Sequence, residues 1–252
     1  MKAPYSLDES VDTQPTIGVV VLSTDETLEP EFRRIYSAQP SRIYHSRIPF
    51  DPVVTPDTLA TMEAQLPASL ALFSRHIDFD VIGYGCTSGA TVIGSDKIEK
   101  IVHAQFPDAA VTDPIRSVIA ACRALGVARM GMLTPYSLDV TQAMQARLEK
   151  SGIDVCSFAS FNETYDHRVA RITEQSVLDA IVKLNTDECD IIFASCTSLR
   201  CFNIIETAEE QLNKPVISSN SAFAWHLHGL AGAAEGLSGP GQLFRQVLGS
   251  GL

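Results

Sequence analysis

The strongest constraint on the fold is one pattern written twice: Asp80-Val-Ile-Gly-Tyr-Gly-Cys86-Thr87-Ser88 and Asp190-Ile-Ile-Phe-Ala-Ser-Cys196-Thr197-Ser198. Each is a short apolar run that opens on an acid and closes on Cys-Thr-Ser. Apolar runs of this length, without polar alternation, are the sequence of parallel strands covered on both faces. In open α/β sheets, ligands gather where such strands end. A thiol at an equivalent strand end in each half predicts two like lobes with their reactive edges turned toward one another.

The spacing supports a diverged duplication. Gly18 stands 68 residues before Cys86, and Gly131 stands 65 before Cys196. In the first half Ile17–Leu22, Ser41–Ile48, Asp80–Gly85 and a short run from Val111 read as strands. Between them lie helical patterns over Thr55–Arg75, Lys97–Gln105 and from Asp113-Pro114 to Leu125. Thr55 suits a cap, Pro56 a first turn and Gly126 a terminator, whereas Pro67 is expected to break or kink its helix. The cycle restarts with strands at Arg129–Thr134, Ile153–Phe158, Asp190–Ala194 and Pro215–Ser218. Its helices run after Tyr136 to Lys150, over Thr173–Leu184, and from about Ser221. The fold class is therefore α/β: two pseudo-symmetric, Rossmann-like lobes with parallel sheets and the active site in the cleft between them. The expected organisation is a disordered or extended head over 1–16, an N-terminal lobe over 17–127 and a C-terminal lobe over 128–252. The last helix is free to pack back on the first lobe.

Composition narrows the function. At 252 residues the chain can bury a large core, and a net charge of −11 argues against nucleic acid or an anionic membrane as partner. No apolar stretch is long enough to span a bilayer. Met1–Thr13 carries Asp8, Glu9 and Asp12 and lacks the apolar core of a signal peptide, so a cytoplasmic protein is expected. Six cysteines in such a chain are expected to stay reduced. Their spacing matches no zinc site, so no metal is expected, and Cys122, Cys156, Cys189 and Cys201 read as small buried side chains. There is no phosphate loop or dinucleotide fingerprint, hence no nucleotide cofactor. The six histidines are scattered, and none adjoins either Cys-Thr-Ser. Trp225 reads as core. Gly83, Gly85 and Gly89 are expected to let backbone approach a ligand.

These residues resemble the aspartate/glutamate racemase superfamily, in the branch that holds maleate cis-trans isomerases and arylmalonate decarboxylases. The resemblance runs from about Ile17 to about Gly239. It is carried by Gly85-Cys86-Thr87-Ser88-Gly89 and Ser195-Cys196-Thr197-Ser198, with support from Leu28-Glu29-Pro30-Glu31, Arg123–Val127 and Thr134-Pro135-Tyr136. It implies a two-lobed fold, no cofactor, a small carboxylate substrate held between two cysteines, and a homodimer or higher homo-oligomer. In racemases of this kind one thiolate removes an α-proton and the opposite thiol returns one. In maleate isomerases the first cysteine adds to the double bond, and in arylmalonate decarboxylases glycine takes its place. The presence of Cys86 sets this chain apart from the decarboxylases. Tyr136 and Asn162 match positions at which maleate isomerases bind substrate. Asp25 departs from the pattern, since those enzymes carry asparagine there and racemases carry aspartate.

Elementary chemistry says what such a site requires. A free thiol titrates near 8.5, so nucleophile or base action calls for a stabilised thiolate. Strand-to-helix turns offer backbone N–H groups and a helix N-terminus for that purpose. Thr87, Ser88, Thr197 and Ser198 add hydroxyls suited to a substrate carboxylate. Ionised aspartate accepts hydrogen bonds and cannot donate them, so Asp25 suits a cationic or N–H-bearing group, or service to Cys86. The sequence therefore predicts a cofactor-independent isomerase acting on a small carboxylic acid, similar to maleate isomerase. Cys86, Cys196 and Asp25 would do the chemistry. Thr87, Ser88, Tyr136, Asn162, Thr197 and Ser198 would bind substrate. The alternatives are an amino- or hydroxy-acid racemase, including an enzyme of ectoine breakdown, and a carboxylate-binding protein without turnover.

Overall fold

The structure, a computed structural model, describes residues 3–8, 10, 13–233 and 236–249. Parts of the expected head and the last residues of the C-terminal lobe lie outside these. The first half runs β1 (Thr16–Leu22), α1 (Leu28–Ile35), β2 (Arg42–Ile48), α2 (Pro56–Leu70), β3 (Val81–Gly85), α3 (Thr87–Ile93), α4 (Ser95–His103), β4 (Ala110–Thr112) and α5 (Pro114–Leu125). The second runs β5 (Arg129–Thr134), α6 (Leu138–Glu149), β6 (Asp154–Ser160), α7 (Asp166–Val169), α8 (Glu174–Leu184), β7 (Ile191–Ala194), α9 (Ile205–Leu212), β8 (Val216–Ser218) and α10 (Ser219–Leu230). A 3₁₀ turn follows at Gln242–Arg245.

Each half builds a four-stranded, all-parallel sheet, ordered β2-β1-β3-β4 and β6-β5-β7-β8. The duplication is visible in register: Gly18 pairs with Ile82, and Gly131 with Ile192. The acid that opens each repeated motif has a matching structural task. Asp80 Oδ2 accepts the amide of Thr16 at 2.7 Å, and Asp190 Oδ2 accepts that of Arg129 at 3.2 Å. Each carboxylate thus pins the first residue of its neighbouring strand.

The central strands are fully buried, as their uninterrupted apolar runs require. Local signals fix several helix ends. Thr55 caps α2 in a reciprocal pair with Thr58, Asp113 caps α5, and Gly126 closes α5 in the left-handed conformation. The α2 helix continues past Pro67 and stops at Leu70, short of Arg75. Pro67 therefore does not end it.

The halves interlock beyond the cleft. Helix α10 leaves β8 of the second sheet and packs against α5, β3 and β4 of the first. Phe223 occupies the space that a side chain at Gly83 would need, and His226 Nδ1 meets Thr112 Oγ1 at 2.8 Å. Burial lowers the His226 pKa to about 4. His226 is a neutral core residue tied to the first lobe.

Candidate active site

The carboxyl ends of the two sheets face each other, and both Cys-Thr-Ser motifs lie where they meet. Cys86 follows β3 and is the N-cap of α3. Its Sγ accepts the Gly89 amide at 3.2 Å and lies 3.6 Å from Ser88 Oγ. Cys196 follows β7 differently. No helix begins there; the chain turns through Thr197–Leu199, and Cys196 itself has φ 110°. A β-carbon makes that backbone region costly, by about 1–3 kcal/mol. The conformation directs the Ser198 amide toward the Cys196 thiol.

Tyr136, just past β5, lies beside Cys196 and near Cys86. Its hydroxyl reaches Cys196 and Ser88, and it lies within the electrostatic range of Cys86. The ring is 2 % exposed, and Cys86 and Cys196 are 3 % and 4 % exposed. Surface cavities of about 300 and 210 Å³ lie elsewhere, and neither is lined by Cys86 or Cys196. Both thiols are buried in the protein.

Two segments leaving the carboxyl edges of the sheets pair into a strap between the lobes. Val53 after β2 and Tyr165 after β6 form an antiparallel bridge. The Val54 amide donates to Thr164 O at 2.8 Å, and that of Asp166 donates to Pro52 O at 3.0 Å.

This strap brings in Asp166, a residue not singled out by its sequence. Asp166 is 3 % exposed, and its Oδ2 accepts the Thr24 hydroxyl at 2.6 Å across the lobes. Asp25 lies opposite, also 3 % exposed. Its Oδ1 accepts the amides of Thr27 and Leu28, each at 2.8 Å, while Oδ2 has no hydrogen-bond partner. The Thr197 hydroxyl lies beside Asp25, near enough to ease its charge without completing that bond.

Asn162, in contrast, is not brought to the site. It is exposed at φ 52°, where its amide donates to Ser160 Oγ and its backbone turns the chain toward Asp166. The hydroxyls also divide. Thr87 Oγ1 donates to Ser219 Oγ at 2.8 Å and Thr197 Oγ1 reaches Gly85 O at 3.5 Å, so both join the lobes. Ser88 faces the thiols, and Ser198 Oγ is buried without a hydrogen-bond partner. The glycines around Cys86 do not open the backbone to a ligand as expected. A β-carbon at Gly85 would stand 2.9 Å from Leu28 Cδ1, and one at Gly89 would strike Tyr84 Oη. Their missing side chains make room for protein.

A second tier supports the Cys196 turn. Ser219 Oγ accepts the Cys196 amide at 2.9 Å as well as the Thr87 hydroxyl. Asn220 Nδ2 donates to Thr197 O at 2.9 Å and to Glu31 Oε2 at 2.8 Å, and Glu31 Oε1 accepts the amides of Cys201 and Phe202. The polar run Ser218–Ser221 at the end of an apolar strand was the available signal for Ser219 and Asn220.

Burial dominates the electrostatics. It pushes the Cys86 thiol up to about 12 and Cys196 well above the ordinary thiol range, despite the Gly89 and Ser198 amides. The expectation of a resting thiolate is not met at these buried cysteines. Burial also raises Asp25 and Asp166, and both carboxylates add to the cost of ionising the two thiols. The site can therefore hold protons on carboxyls and thiols alike.

Among the described residues, no cluster of His, Cys, Asp and Glu is arranged to hold a metal ion, and no helix is long and apolar enough to cross a membrane. The chain is 26% identical over 240 residues to maleate isomerase of Nocardia farcinica, spanning 91% of this chain and 95% of that one. It is 31% identical over 131 residues to arylmalonate decarboxylase of Bordetella bronchiseptica, covering 51% and 55%. Its fold matches a Nocardia farcinica maleate cis-trans isomerase mutant that carries a covalently bound succinylcysteine intermediate. The TM-score is 0.85 at 24% identity, over 91% of this chain and 98% of that one. The maleate isomerase Iso of Pseudomonas putida S16, with maleate, gives a TM-score of 0.83 at 23% identity over 91% and 96%. The model of the arylmalonate decarboxylase family matches residues 97–244, more than half of the sequence, and the chain belongs to that family, in the branch it shares with the maleate isomerases.

Proposed function

We propose that this protein is a cofactor-independent isomerase that works on a small carboxylic acid with Cys86 and Cys196, in the manner of a maleate cis-trans isomerase. The observation that carries the reading is that thiols from the two repeated motifs are buried around one tyrosine, Tyr136, which lies by Cys196 and by Ser88, the serine beside the Cys86 sulfur. The likeness to a maleate isomerase over 91% of the chain supports it.

In this reading the strap opens, substrate enters, and its carboxylate accepts hydrogen bonds from Ser88, Ser198 and Tyr136. The Cys86 proton passes to a buried carboxyl, that of Asp25 in this reading. The Cys86 sulfur then adds to one alkene carbon. An S–C bond forms, and the π pair moves to the neighbouring carbon and its carboxylate, where donors in a dry site stabilise it. Rotation about the new single bond and loss of the thiolate break the S–C bond and return the pair as a trans double bond. No proton is gained or lost overall. Cys196 serves from the opposite face as an acid/base. Asn162 has no part, and Thr87 and Thr197 act by holding the lobes together.

One observation favours a second reading. Asp25 and Asp166 make the site rich in acceptors, which suits a chiral acid bearing N–H or O–H groups. There Cys86 would take an α-proton and Cys196 would return one, as in a racemase. We take the protein to be a cytoplasmic homo-oligomer.

Proton NMR in D₂O under reducing conditions tests both readings. Fumarate formed from maleate supports the first. Loss of an α-proton signal from an amino or hydroxy acid supports the second. Turnover that survives both Cys86→Ser and Cys196→Ser would sink both.

A further inference from the structure

Cys156 and Cys189, which the proposed reaction does not use, meet at the end of the second sheet opposite to Cys196. Cys156 lies near the start of β6, and Cys189 lies just before β7 begins. Their sulfurs are 3.1 Å apart. Strand β5 runs between β6 and β7, so the contact needs two local departures from regular sheet. The first is a bulge. Met130 pairs with Val155 and Gly131 with Ser157, which leaves Cys156 as the extra residue of β6. Successive side chains of a regular strand point to opposite faces. Here Cys156 Sγ and Ser157 Oγ both reach Cys189 Sγ, at 3.1 and 3.2 Å. A bulge re-aims side chains in this way. The second departure is Gly131, whose missing side chain leaves the gap across β5. A β-carbon there would stand 3.3 Å from Cys189 Sγ and 3.1 Å from Ser157 Oγ. Thr186 Oγ1, 3.3 Å from Cys189 Sγ, completes the cluster. Cys156 is half-buried and gives the pair its opening to solvent, whereas Cys189 is buried.

We infer that Cys156 and Cys189 form a peroxide-sensitive dithiol, a modification site separate from the reacting thiols, at which a hydroperoxide oxidises the pair to a disulfide. It holds whatever reaction Cys86 and Cys196 carry out. Hydroxyls of Ser157 and Thr186 and the Cys156 thiol lower the proton affinity of Cys189, which makes it the attacking sulfur. The Cys189 thiolate forms an S–O bond to one peroxide oxygen. The O–O bond breaks, and the departing hydroxide takes the Cys156 proton and leaves as water. The Cys156 sulfur then attacks the Cys189 sulfenic acid. An S–S bond forms, the S–O bond breaks, and a second hydroxide leaves, taken to water by the proton that Cys189 gave up. The two thiols lose two electrons, peroxide gains them, and two waters result. The sulfurs close from 3.1 Å to about 2.0 Å. Because the second sulfur is already in contact, the disulfide forms ahead of the sulfinic acid. Cys86 and Cys196 are buried and hold their protons more tightly, so they follow later.

The test treats the whole wild-type protein with hydrogen peroxide at neutral pH, blocks free thiols with N-ethylmaleimide, and maps peptides by tandem mass spectrometry without reductant. The expected product is a peptide pair linked through Cys156 and Cys189, lacking two hydrogens, which dithiothreitol separates. It should form at least about tenfold faster than Cys86 or Cys196 is lost. In Cys156→Ser, with folding checked by circular dichroism, the linked pair should disappear and dimedone should trap Cys189 as its sulfenic acid. Peroxide that carries either sulfur to sulfinic acid with no linked pair overturns the inference, as does loss of Cys86 or Cys196 at a matching rate. An unmodified Cys189 in the folded serine variant overturns it too, since peroxide then meets no attacking sulfur in the pair. Should that variant fail to fold, the wild-type peptide map alone decides.

Discussion

Ser219 Oγ accepts the amide of Cys196 at 2.9 Å and so holds the one cysteine whose backbone lies in the left-handed region. The same oxygen accepts the Thr87 hydroxyl from the first motif. One serine on α10 therefore ties the two reactive turns together. Ser219→Ala would strand a buried amide and a buried hydroxyl, at about 1–3 kcal/mol. The expected result is a lower urea midpoint with unchanged m-value, and a fall in kcat larger than the change in KM. An unaltered kcat would show that the Cys196 turn keeps its position without Ser219.

The backbone at Cys196 makes a second prediction. Glycine ordinarily costs more than alanine because its unfolded chain has more freedom. At φ 110° that order should reverse, since only glycine adopts this region without a β-carbon clash. Cys196→Gly should be at least as stable as Cys196→Ala, by up to about 1 kcal/mol. Chemical denaturation of the two variants decides it, and alanine being clearly the more stable would remove strain from the account.

How far these features were legible depends on their range along the chain. Strand ends, caps and the paired Cys-Thr-Ser motifs are local, and the positions of Thr55, Asp113, Gly126, Cys86 and Cys196 follow from neighbouring residues. The short helices α1 and α9 were not, because eight residues hold barely two turns of pattern. The Glu31–Asn220 and Thr24–Asp166 bonds span 189 and 142 residues. No periodicity marks such partners. The family resemblance points to Asn162 and says nothing of Asp166, and only the strap, which leaves Asn162 exposed and buries Asp166, distinguishes them. The state of the thiols is not legible in the sequence, because donors are visible there whereas depth of burial is not.

Thiol reactivity should follow exposure. Cys156 is half-buried, with its Sγ 3.1 Å from that of Cys189, whose proton affinity is lowered by hydroxyls of Ser157 and Thr186. Burial raises Cys156 and Cys86 alike, each to about 12, so access and not proton affinity separates Cys156 from the buried Cys86 and Cys196. Iodoacetamide at neutral pH should label Cys156, the one half-buried thiol among the described residues, first, with the buried site pair slower by at least about tenfold. Peptide mass spectrometry over time reads this. Early labelling of Cys86 would mean that the site opens readily without ligand.

The buried carboxyls set the dependence of stability on pH. Burial raises Glu31 to about 7 from 4.5, and raises Asp25, Asp113 and Asp166 as well. A carboxyl with a higher pKa in the folded state keeps its proton there after the unfolded chain has lost its own. Between the two values the native state binds more protons, so stability falls as pH rises. For Glu31 this runs from about 4.5 to about 7 and amounts to roughly 3 kcal/mol. The protein should therefore be most stable in mildly acidic solution, near the lower end of that window. Glu31→Gln removes the titrating group and keeps an oxygen for the amides of Cys201 and Phe202. The variant should lose stability at pH 5, where wild-type Glu31 is protonated, and the decline from pH 5 to 7 should be shallower than in the wild type. Unfolding by urea at half-unit pH steps measures both slopes, and parallel curves would show that Glu31 is ionised throughout and bound by its three N–H donors as a carboxylate.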